Sequence, residues 1–299
     1  MRGEVARLVR ALVRASHFGP CLAVTAITVL LAIGAGTGDA GTLVLLALAV
    51  FAGQLSIGWS NDALDADLDA TAGRGDKPVA RGDLAVRTVW TGALLALAAA
   101  FGFALALGPW TALWLVPVVG GGWIYNAGLK STPLSALAYV IGFAPLPALA
   151  ASVLPGHPLA RPWAAVAAAL LGVGAHFVNV LPDLASDLSA GVRGLPQLVA
   201  RRGGERAALH VALGLLMTAS VLIAVVTSGL GTAGLGADGL GAPVRTVTPG
   251  ALSALTGLAA TGALAVVAAR SGGRTSFHCA LAIAGIDVLM FVFGGADLV

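Results

Sequence analysis

Residues 42–69 read TLVLLALAVFAGQLSIGWSNDALDADLD, an apolar run that ends in a cluster of acidic side chains. The run 42–60 contains no charged residue, and its length matches the roughly 20 residues that a helix needs to cross a bilayer. The chain of 299 residues is 58% hydrophobic and only 10% charged, whereas an average soluble domain is about 25% charged. This composition excludes an ordinary soluble fold and predicts an all-α, polytopic membrane protein.

Nine apolar stretches along the chain are long enough to span a membrane. Their limits are 20–38, 42–60, 88–107, 110–128, 134–154, 163–182, 207–228, 249–269 and 277–295. A cytoplasmic N-terminus puts 15 of the 17 Lys and Arg residues on the cytoplasmic side and leaves Arg161 and Arg245 outside, as the positive-inside rule requires. One missed span would invert every later loop. We therefore predict nine membrane-spanning helices, with the N-terminus cytoplasmic and the C-terminus external.

The nine spans form one predicted membrane domain, residues 1–299, with four distinct extramembrane segments. These are a cytoplasmic N-terminal segment 1–19, two cytoplasmic acidic-motif loops 61–87 and 183–206, and a flexible external loop 229–248. In the external loop Gly229, Gly231 and Gly234 match the dinucleotide fingerprint G-x-G-x-x-G. No strand precedes them and no helix of a βαβ unit follows, so we interpret this segment as a flexible linker.

The second and the sixth predicted spans both end in a short internal repeat. Each copy has the pattern N-x-x-x-D-x-x-x-D-x-x-x-G, and the two copies are offset by 118 residues throughout. The copies are Asn61, Asp65, Asp69 and Gly73, and Asn179, Asp183, Asp187 and Gly191. Because both spans run in the same direction, the repeat predicts a four-helix unit used twice in parallel, with a ninth helix added.

The spacing of the repeat places its acidic side chains on one face of a helix. Residues four apart are neighbours on a helix surface, and Asp62 joins the first stripe at the three-residue spacing. Carboxylates stacked in this way repel one another unless a cation lies between them. Oxygen ligands without Cys or clustered His favour Mg²⁺ or Ca²⁺, and Mg²⁺ commonly binds carboxylates together with substrate phosphate. The two stripes therefore predict a site for a diphosphate bridged by metal ions.

Three other interpretations of the acidic residues remain open. They could form a solvated charge cluster, or a calcium loop in which Asp65, Asp67, Asp69 and Asp76 fill positions 1, 3, 5 and 12, although Ala70 stands where such a loop needs glycine. They could also belong to an ion or proton pathway, whose sites usually lie near the midplane. The ionisable candidates at that depth are His176 and Asp287.

Several motifs resemble the UbiA superfamily of intramembrane prenyltransferases. The segment from Asn61 to Asp69, followed by Arg74, Lys77, Pro78 and Arg81, is similar to the first aspartate-rich motif of that family. The second copy, with Gly191 and Leu195-Pro196, is similar to the second aspartate-rich motif of the family. The segment Tyr125-Asn126 with Leu129-Lys130 is similar to the tyrosine and lysine element at the end of the fourth span. The resemblance covers nearly the whole chain. Two departures are Ser186 and Leu184, where the second motif often has further acids, and Lys77, where arginine often precedes the proline.

The resemblance implies a UbiA-like bundle and a role for each motif residue. The implied metal ligands for Mg²⁺ are Asn61, Asp62, Asp65, Asp69, Asp183 and Asp187. The implied diphosphate-binding residues are Arg74, Lys77, Arg81, Lys130 and Arg193, and the implied catalytic residues are Lys130 and Tyr125. The basic residues could instead serve only to fix topology, and Tyr125 could be an interfacial anchor. His176 faces the same side as Asn179, which allows either contact with an acceptor or an interhelical hydrogen bond.

The implied activity is transfer of an isoprenyl group from a prenyl diphosphate to an aromatic or other lipophilic acceptor. A terpene cyclase would use the same ionisation, and a transporter or lipid-binding protein could retain the architecture. We expect prenyl diphosphate, a lipophilic acceptor and membrane lipid as partners, and no nucleic acid. We expect the protein to be integral to a bacterial cell membrane.

Overall fold

The computed structural model describes residues 2–71, 77–228, 249–293, 298 and 299, and these residues form α-helices without any β-strand. The helices are α1 (Arg2–Ala15), α2 (Phe18–Gly34), α3 (Ala40–Leu64), α4 (Ala66–Thr71), α5 (Val86–Leu107), α6 (Pro109–Asn126), α7 (Ser135–Phe143), α8 (Leu146–Ala151), α9 (Pro162–Val180), α10 (Leu184–Ser189), α11 (Leu195–Gly203), α12 (Glu205–Thr227), α13 (Pro249–Arg270) and α14 (Gly273–Phe293). The prediction of an all-α membrane protein is confirmed. The predicted external loop 229–248 lies outside the described residues.

A helix lies at each of the nine predicted spans, but not every helix is long and apolar enough to cross a membrane by itself. Six described helices meet that length and composition, and a seventh is obtained if α1 and α2, which meet at 65°, are counted as one broken span. The predicted span 134–154 is divided into α7 and α8, because Pro145 and Pro147 lack the N–H groups that would continue the helix. The number of nine spans therefore stays a prediction.

The order of helices repeats along the chain, as the sequence repeat predicts. Helices α2, α3, α5 and α6 are followed in the same order by α7 with α8, α9, α12 and α13, and α14 is added at the end. Within the first half α3 packs against α2, α5 and α6, and within the second half α9 packs against α7 and α12. Helix α6 also packs against α7. The two halves therefore contact each other through α6 with α7, and also through α2 with α8.

Small residues and polar pairs hold the helices together. The buried face of α5 consists of Val89 and four alanines at positions 93, 96, 100 and 104, which allow close approach of the neighbouring helix backbone. Between α3 and α6, Trp123 Nε1 donates to Ser56 Oγ at 2.8 Å and Asn126 Nδ2 donates to Ser60 Oγ at 2.9 Å. Many Leu and Val side chains on the outside are exposed, among them Leu95 at 66%, as expected of a surface that faces lipid.

Hydrogen bonds tie both ends of the described chain to neighbouring helices. The indole of Trp59 donates to the carbonyl of Leu12 at 2.9 Å, which ties α1 to the acidic end of α3. At the other terminus, the backbone N–H of Arg161, at the start of α9, donates to the carbonyl of Leu298 at 2.7 Å.

Candidate active site

A lysine from the following loop pairs with one carboxylate of the first acidic motif. Lys77 Nζ donates to Asp62 Oδ1 at 2.7 Å and lies 3.1 Å from His17 Nε2. Burial and the neighbouring Lys77 charge lower the pKa of His17, so the neutral imidazole accepts the hydrogen bond from the lysine. Asp62 is 1% exposed, and its Oδ2 has no hydrogen-bond partner among the described residues. An orphaned carboxylate oxygen of this kind is suited to a cation.

A second lysine reaches the same motif from the loop after α6. The Nζ of Lys130 contacts both carboxylate oxygens of Asp65, at 2.6 Å from Oδ2, and lies 3.5 Å from Asn61 Oδ1. The two side chains of this ion pair are 22% and 18% exposed. A short 3₁₀ turn, Leu129–Ser131, places the lysine beside α3. The structure therefore places Lys130, a predicted diphosphate-binding residue, in contact with Asn61 and Asp65, two predicted metal ligands.

The second acidic motif begins at the end of α9 and continues into α10. A 3₁₀ turn, Leu181–Asp183, separates the two helices, and Pro182 within it removes one backbone donor. Asp183 is exposed at this turn. Asp187 Oδ2 accepts a hydrogen bond of 2.7 Å from Nε2 of Gln197, a buried residue of α11. The amide thereby fixes the orientation of the carboxylate.

One residue of each motif lines a cavity of about 250 Å³, whose lining includes none of the motif aspartates. Asn61 and Asn179, the first residues of the two repeat copies, both line it, together with His17. From this mouth the cavity extends between α2, α3, α6 and α7 along Ile57, Gly122 and other mostly apolar residues to Val24, Val118 and Phe143. The arrangement can accept a ligand that has an anionic head and an apolar body.

An aromatic cluster forms one wall of the cavity. The rings of Tyr125 and Tyr139 meet edge to face at 5.4 Å, and Tyr139 stacks on His176 at 4.5 Å. Tyr125 lines the same cavity as Asn61 and Asn179, the first residues of the two motifs. The predicted catalytic role of Tyr125 stays a prediction.

His176 is held by an interhelical hydrogen bond. Its Nε2 lies 2.9 Å from Ser135 Oγ, and that oxygen also accepts from the backbone N–H of Leu195 at 2.9 Å. Since the serine oxygen already accepts this bond, its own proton is available for the imidazole. The two hydrogen bonds of Ser135 join α7 and α9 to the start of α11. Of the two roles considered for His176, this arrangement matches the interhelical hydrogen bond.

The oxygen-bearing side chains of the two motifs are chemically suited to bind a hard cation. The described part of the chain nevertheless contains no preformed metal site. Nowhere among the described residues do three or more His, Cys, Asp or Glu side chains converge as metal ligands. The donors of the two motifs are carboxylate and amide oxygens, as Mg²⁺ prefers, and the ammonium groups of Lys77 and Lys130 pair with Asp62 and Asp65. The predicted metal set of Asn61, Asp62, Asp65, Asp69, Asp183 and Asp187 stays a prediction.

The remaining predicted site residues have different surroundings. Arg81 Nε contacts Asp83 Oδ2 at 3.1 Å, with both side chains nearly half exposed. Arg193 is exposed in the loop before α11, and Arg74 lies outside the described residues. The roles of all three in binding diphosphate stay predictions. Asp287, in contrast, lies away from the mouth and accepts a hydrogen bond of 2.5 Å from Ser220 in the bundle interior.

Three residues of the site were not predicted from the sequence as functional. His17 contacts Lys77, which is 60 residues away, and Gln197 donates a hydrogen bond to Asp187, which is 10 residues away. No local sequence pattern indicates such pairings. Asn179 carries a signal that could have identified it, since it occupies the same place in the repeat as Asn61.

Comparison with known proteins identifies the family. A model of the UbiA prenyltransferase family matches residues 22–269. The chain belongs to the UbiA prenyltransferase family. No curated protein matches the chain. This match confirms the resemblance that the motifs indicate. Together with the six long apolar helices, it shows that this UbiA protein is an integral membrane protein.

Solved structures share the fold of this UbiA protein at low sequence identity. A UbiA homologue from Archaeoglobus fulgidus bound to GPP and Mg²⁺ is 17% identical, with a TM-score of 0.67 over 96% of this chain and 99% of the other. A structure of digeranylgeranylglyceryl phosphate synthase is 16% identical, with a TM-score of 0.65 over 97% and 99%. The apo UbiA homologue from Aeropyrum pernix K1 is 20% identical, with a TM-score of 0.62 over 92% and 96%. These similarities show the common fold.

Proposed function

We propose that this UbiA protein is a Mg²⁺-dependent prenyltransferase that transfers an isoprenyl group from a prenyl diphosphate to an aromatic or other lipophilic acceptor within the membrane. The observation that carries the proposal is that Asn61 and Asn179 line one and the same cavity, which continues into the apolar bundle. Its polar mouth suits a diphosphate and its apolar interior suits an isoprenyl chain. The Archaeoglobus fulgidus homologue binds GPP and Mg²⁺, which supports the same ligand class here.

At the mouth, residues of both motifs would hold the metal and the diphosphate. Asn61, Asp62, Asp65, Asp69, Asp183 and Asp187 supply the oxygen ligands. Bound Mg²⁺ would offset the charge of the leaving pyrophosphate. Lys77 and Lys130 already balance the carboxylates of the first motif, and they supply N–H donors for the diphosphate oxygens in the same space. Preorganised cationic donors of this kind stabilise the charge that develops as the allylic C–O bond breaks.

Below the mouth, the cavity wall would control the fate of the allylic carbon. The rings of Tyr125 and Tyr139 present π-faces and edges that can stabilise a developing cation. The apolar lining of Ile57, Gly58 and Gly122 excludes water from the reacting carbon. An acceptor held against this wall would then capture the carbon before water does.

The test is pyrophosphate release by purified protein with geranyl diphosphate and Mg²⁺. We expect release in the parent protein and none above background in Asp183→Ala, while Asp67→Ala retains parent activity. Asp67 is the matched control because it is an exposed acid of the first motif segment that lies outside the predicted ligand set. Undiminished release by Asp183→Ala would refute the role of the second motif.

Products distinguish transfer from cyclisation. A transferase with no acceptor should release pyrophosphate slowly and give simple hydrolysis products, because the capturing partner is missing, and a suitable acceptor should accelerate release. Rapid formation of a cyclic hydrocarbon or terpene alcohol without acceptor would instead identify a cyclase.

A further inference from the structure

A second concavity lies on the outer surface of the bundle, away from the candidate active site. It is a groove of about 310 Å³ between α12 and α13, with His210 at one end and a lining that includes Leu213, Gly214, Met217, Ala265 and Ala269. Gly214 is exposed, and a Cβ built on it would meet nothing within 4 Å. The groove is therefore an open, almost entirely apolar depression in the surface that faces lipid.

Basic side chains surround the polar end of this groove. Arg206 lies about one helical turn before His210 on the same face of α12, and Arg270 directly follows the lining residue Ala269. Both arginines are exposed, and neither forms a salt bridge with a residue that the structure describes. Glu205 is the one acidic residue in the sequence of α12, and the sequence of α13 contains none. This end of the groove therefore carries a net positive charge.

The basic end of the groove lies at the end of the bundle that carries the acidic motifs. Helix α11, whose Gln197 donates a hydrogen bond to Asp187, ends at Gly203, and α12 begins two residues later. From His210 to Met217 the groove follows α12 for seven residues, about 10 Å. One leaflet contributes about 15 Å to the hydrocarbon core of a bilayer. The groove therefore lies within the acyl region of one leaflet, and its basic end lies at the headgroup level of that leaflet.

These features indicate the chemistry of the occupant. An acyl chain fits the apolar groove, and a phosphate at the headgroup level accepts hydrogen bonds from the two guanidinium groups and from the ring of His210. Basic residues at a membrane surface favour anionic lipids. A second copy of this chain fits less well, because a two-fold axis along the membrane normal would bring Arg206 and Arg270 of both copies together at one level.

We propose that the groove between α12 and α13 binds one anionic phospholipid of the leaflet that borders the acidic motifs. The phosphate of this lipid pairs with Arg206 and Arg270, and one acyl chain lies over Gly214. The site is separate from the cavity at Asn61 and Asn179, and the inference does not depend on the proposed function.

The inference is tested by native mass spectrometry of the full-length protein in detergent. Phosphatidylglycerol and phosphatidylcholine with the same two acyl chains are titrated separately, and the dissociation constant of the first bound lipid is measured for each. We expect the parent to prefer phosphatidylglycerol. The double variant Arg206→Gln/Arg270→Gln should lower that preference about five- to thirtyfold, because each arginine near an anionic headgroup contributes about fivefold. Gly214→Leu, which fills the groove, should weaken binding of both lipids about threefold or more and keep the preference for phosphatidylglycerol.

The matched controls are Arg87→Gln and Gly102→Leu, both in α5. Arg87 is an exposed arginine, and Gly102 is an exposed glycine whose Cβ would also meet nothing within 4 Å. Both controls should bind the two lipids as the parent does. An unchanged preference in the double variant, or equal losses in Gly102→Leu and Gly214→Leu, would overturn the inference. A protein dimer that Gly214→Leu abolishes would also overturn it, since that result would place a second copy of the chain in the groove.

Discussion

Replacing Lys130 by methionine removes an ammonium group and keeps most of the side-chain volume. In the parent protein this group contacts both carboxylate oxygens of Asp65. The pair is about one-fifth exposed, so its strength lies between that of a surface pair and a buried pair, at about 1–2 kcal/mol. Any divalent ion that binds Asp65 in the absence of diphosphate must first displace this ammonium.

Lys130→Met should therefore change metal binding and turnover in opposite directions. Without diphosphate, the affinity for Mn²⁺, measured by electron paramagnetic resonance, should rise about 5- to 30-fold, which corresponds to 1–2 kcal/mol. With geranyl diphosphate and Mg²⁺, kcat should fall about 100- to 1,000-fold, because one preorganised donor to the leaving group is lost.

The matched control for this prediction is Arg87→Met, which removes one positive charge at the start of α5. Arg87 is exposed and lies outside the two acidic motifs. The control should leave both Mn²⁺ affinity and kcat close to the parent values. Unchanged or weaker Mn²⁺ binding in Lys130→Met would refute the idea that the lysine competes with the metal for Asp65.

Two further predictions concern the packing and the orientation of the bundle. Gly58→Ala should lower the free energy of unfolding by about 1–3 kcal/mol and reduce turnover, because a Cβ at Gly58 would lie 2.1 Å from the carbonyl oxygen of Ser16, beside His17. The control Gly102→Ala, whose Cβ would meet nothing within 4 Å, should leave thermal unfolding unchanged. Equal shifts in thermal unfolding for the two variants would contradict this reasoning. Cysteines introduced at the exposed positions Ser189 and Leu159 should react with an impermeant thiol reagent from the cytoplasmic and the external side respectively, and labelling of both from one side would overturn the topology.

The sequence is sufficient to predict the helical membrane fold because hydropathy and acidic spacing are local signals. The run 42–60 is part of α3, and Asn61 and Asp62 extend that same helix to the site. The sequence analysis does not predict the division between α7 and α8. Hydropathy averaged over the whole span 134–154 is insensitive to a break at Pro145. The local rule for proline could have indicated it.

Contacts between distant residues are the part of the site that the sequence could not provide. Lys130 meets Asp65 across 65 positions, and Lys77 meets His17 across 60. Such pairings depend on how α1, α3 and the loop after α6 pack, and one sequence contains no record of that packing. The resemblance to UbiA proteins indicated Lys130, whereas His17 belongs to none of the motifs.

The central claim is that both acidic motifs bind one prenyl diphosphate through Mg²⁺ at the mouth of one cavity. The most direct measurement is Mg²⁺-dependent binding of geranyl thiolodiphosphate, whose C–S bond resists ionisation, to the parent protein, Asp65→Asn and Asp187→Asn. Both substitutions remove one negative charge with little change in shape. The account predicts that each variant loses at least tenfold in affinity in the presence of Mg²⁺ and that little difference remains without it. Parent-like, Mg²⁺-dependent binding by either variant would contradict the shared site.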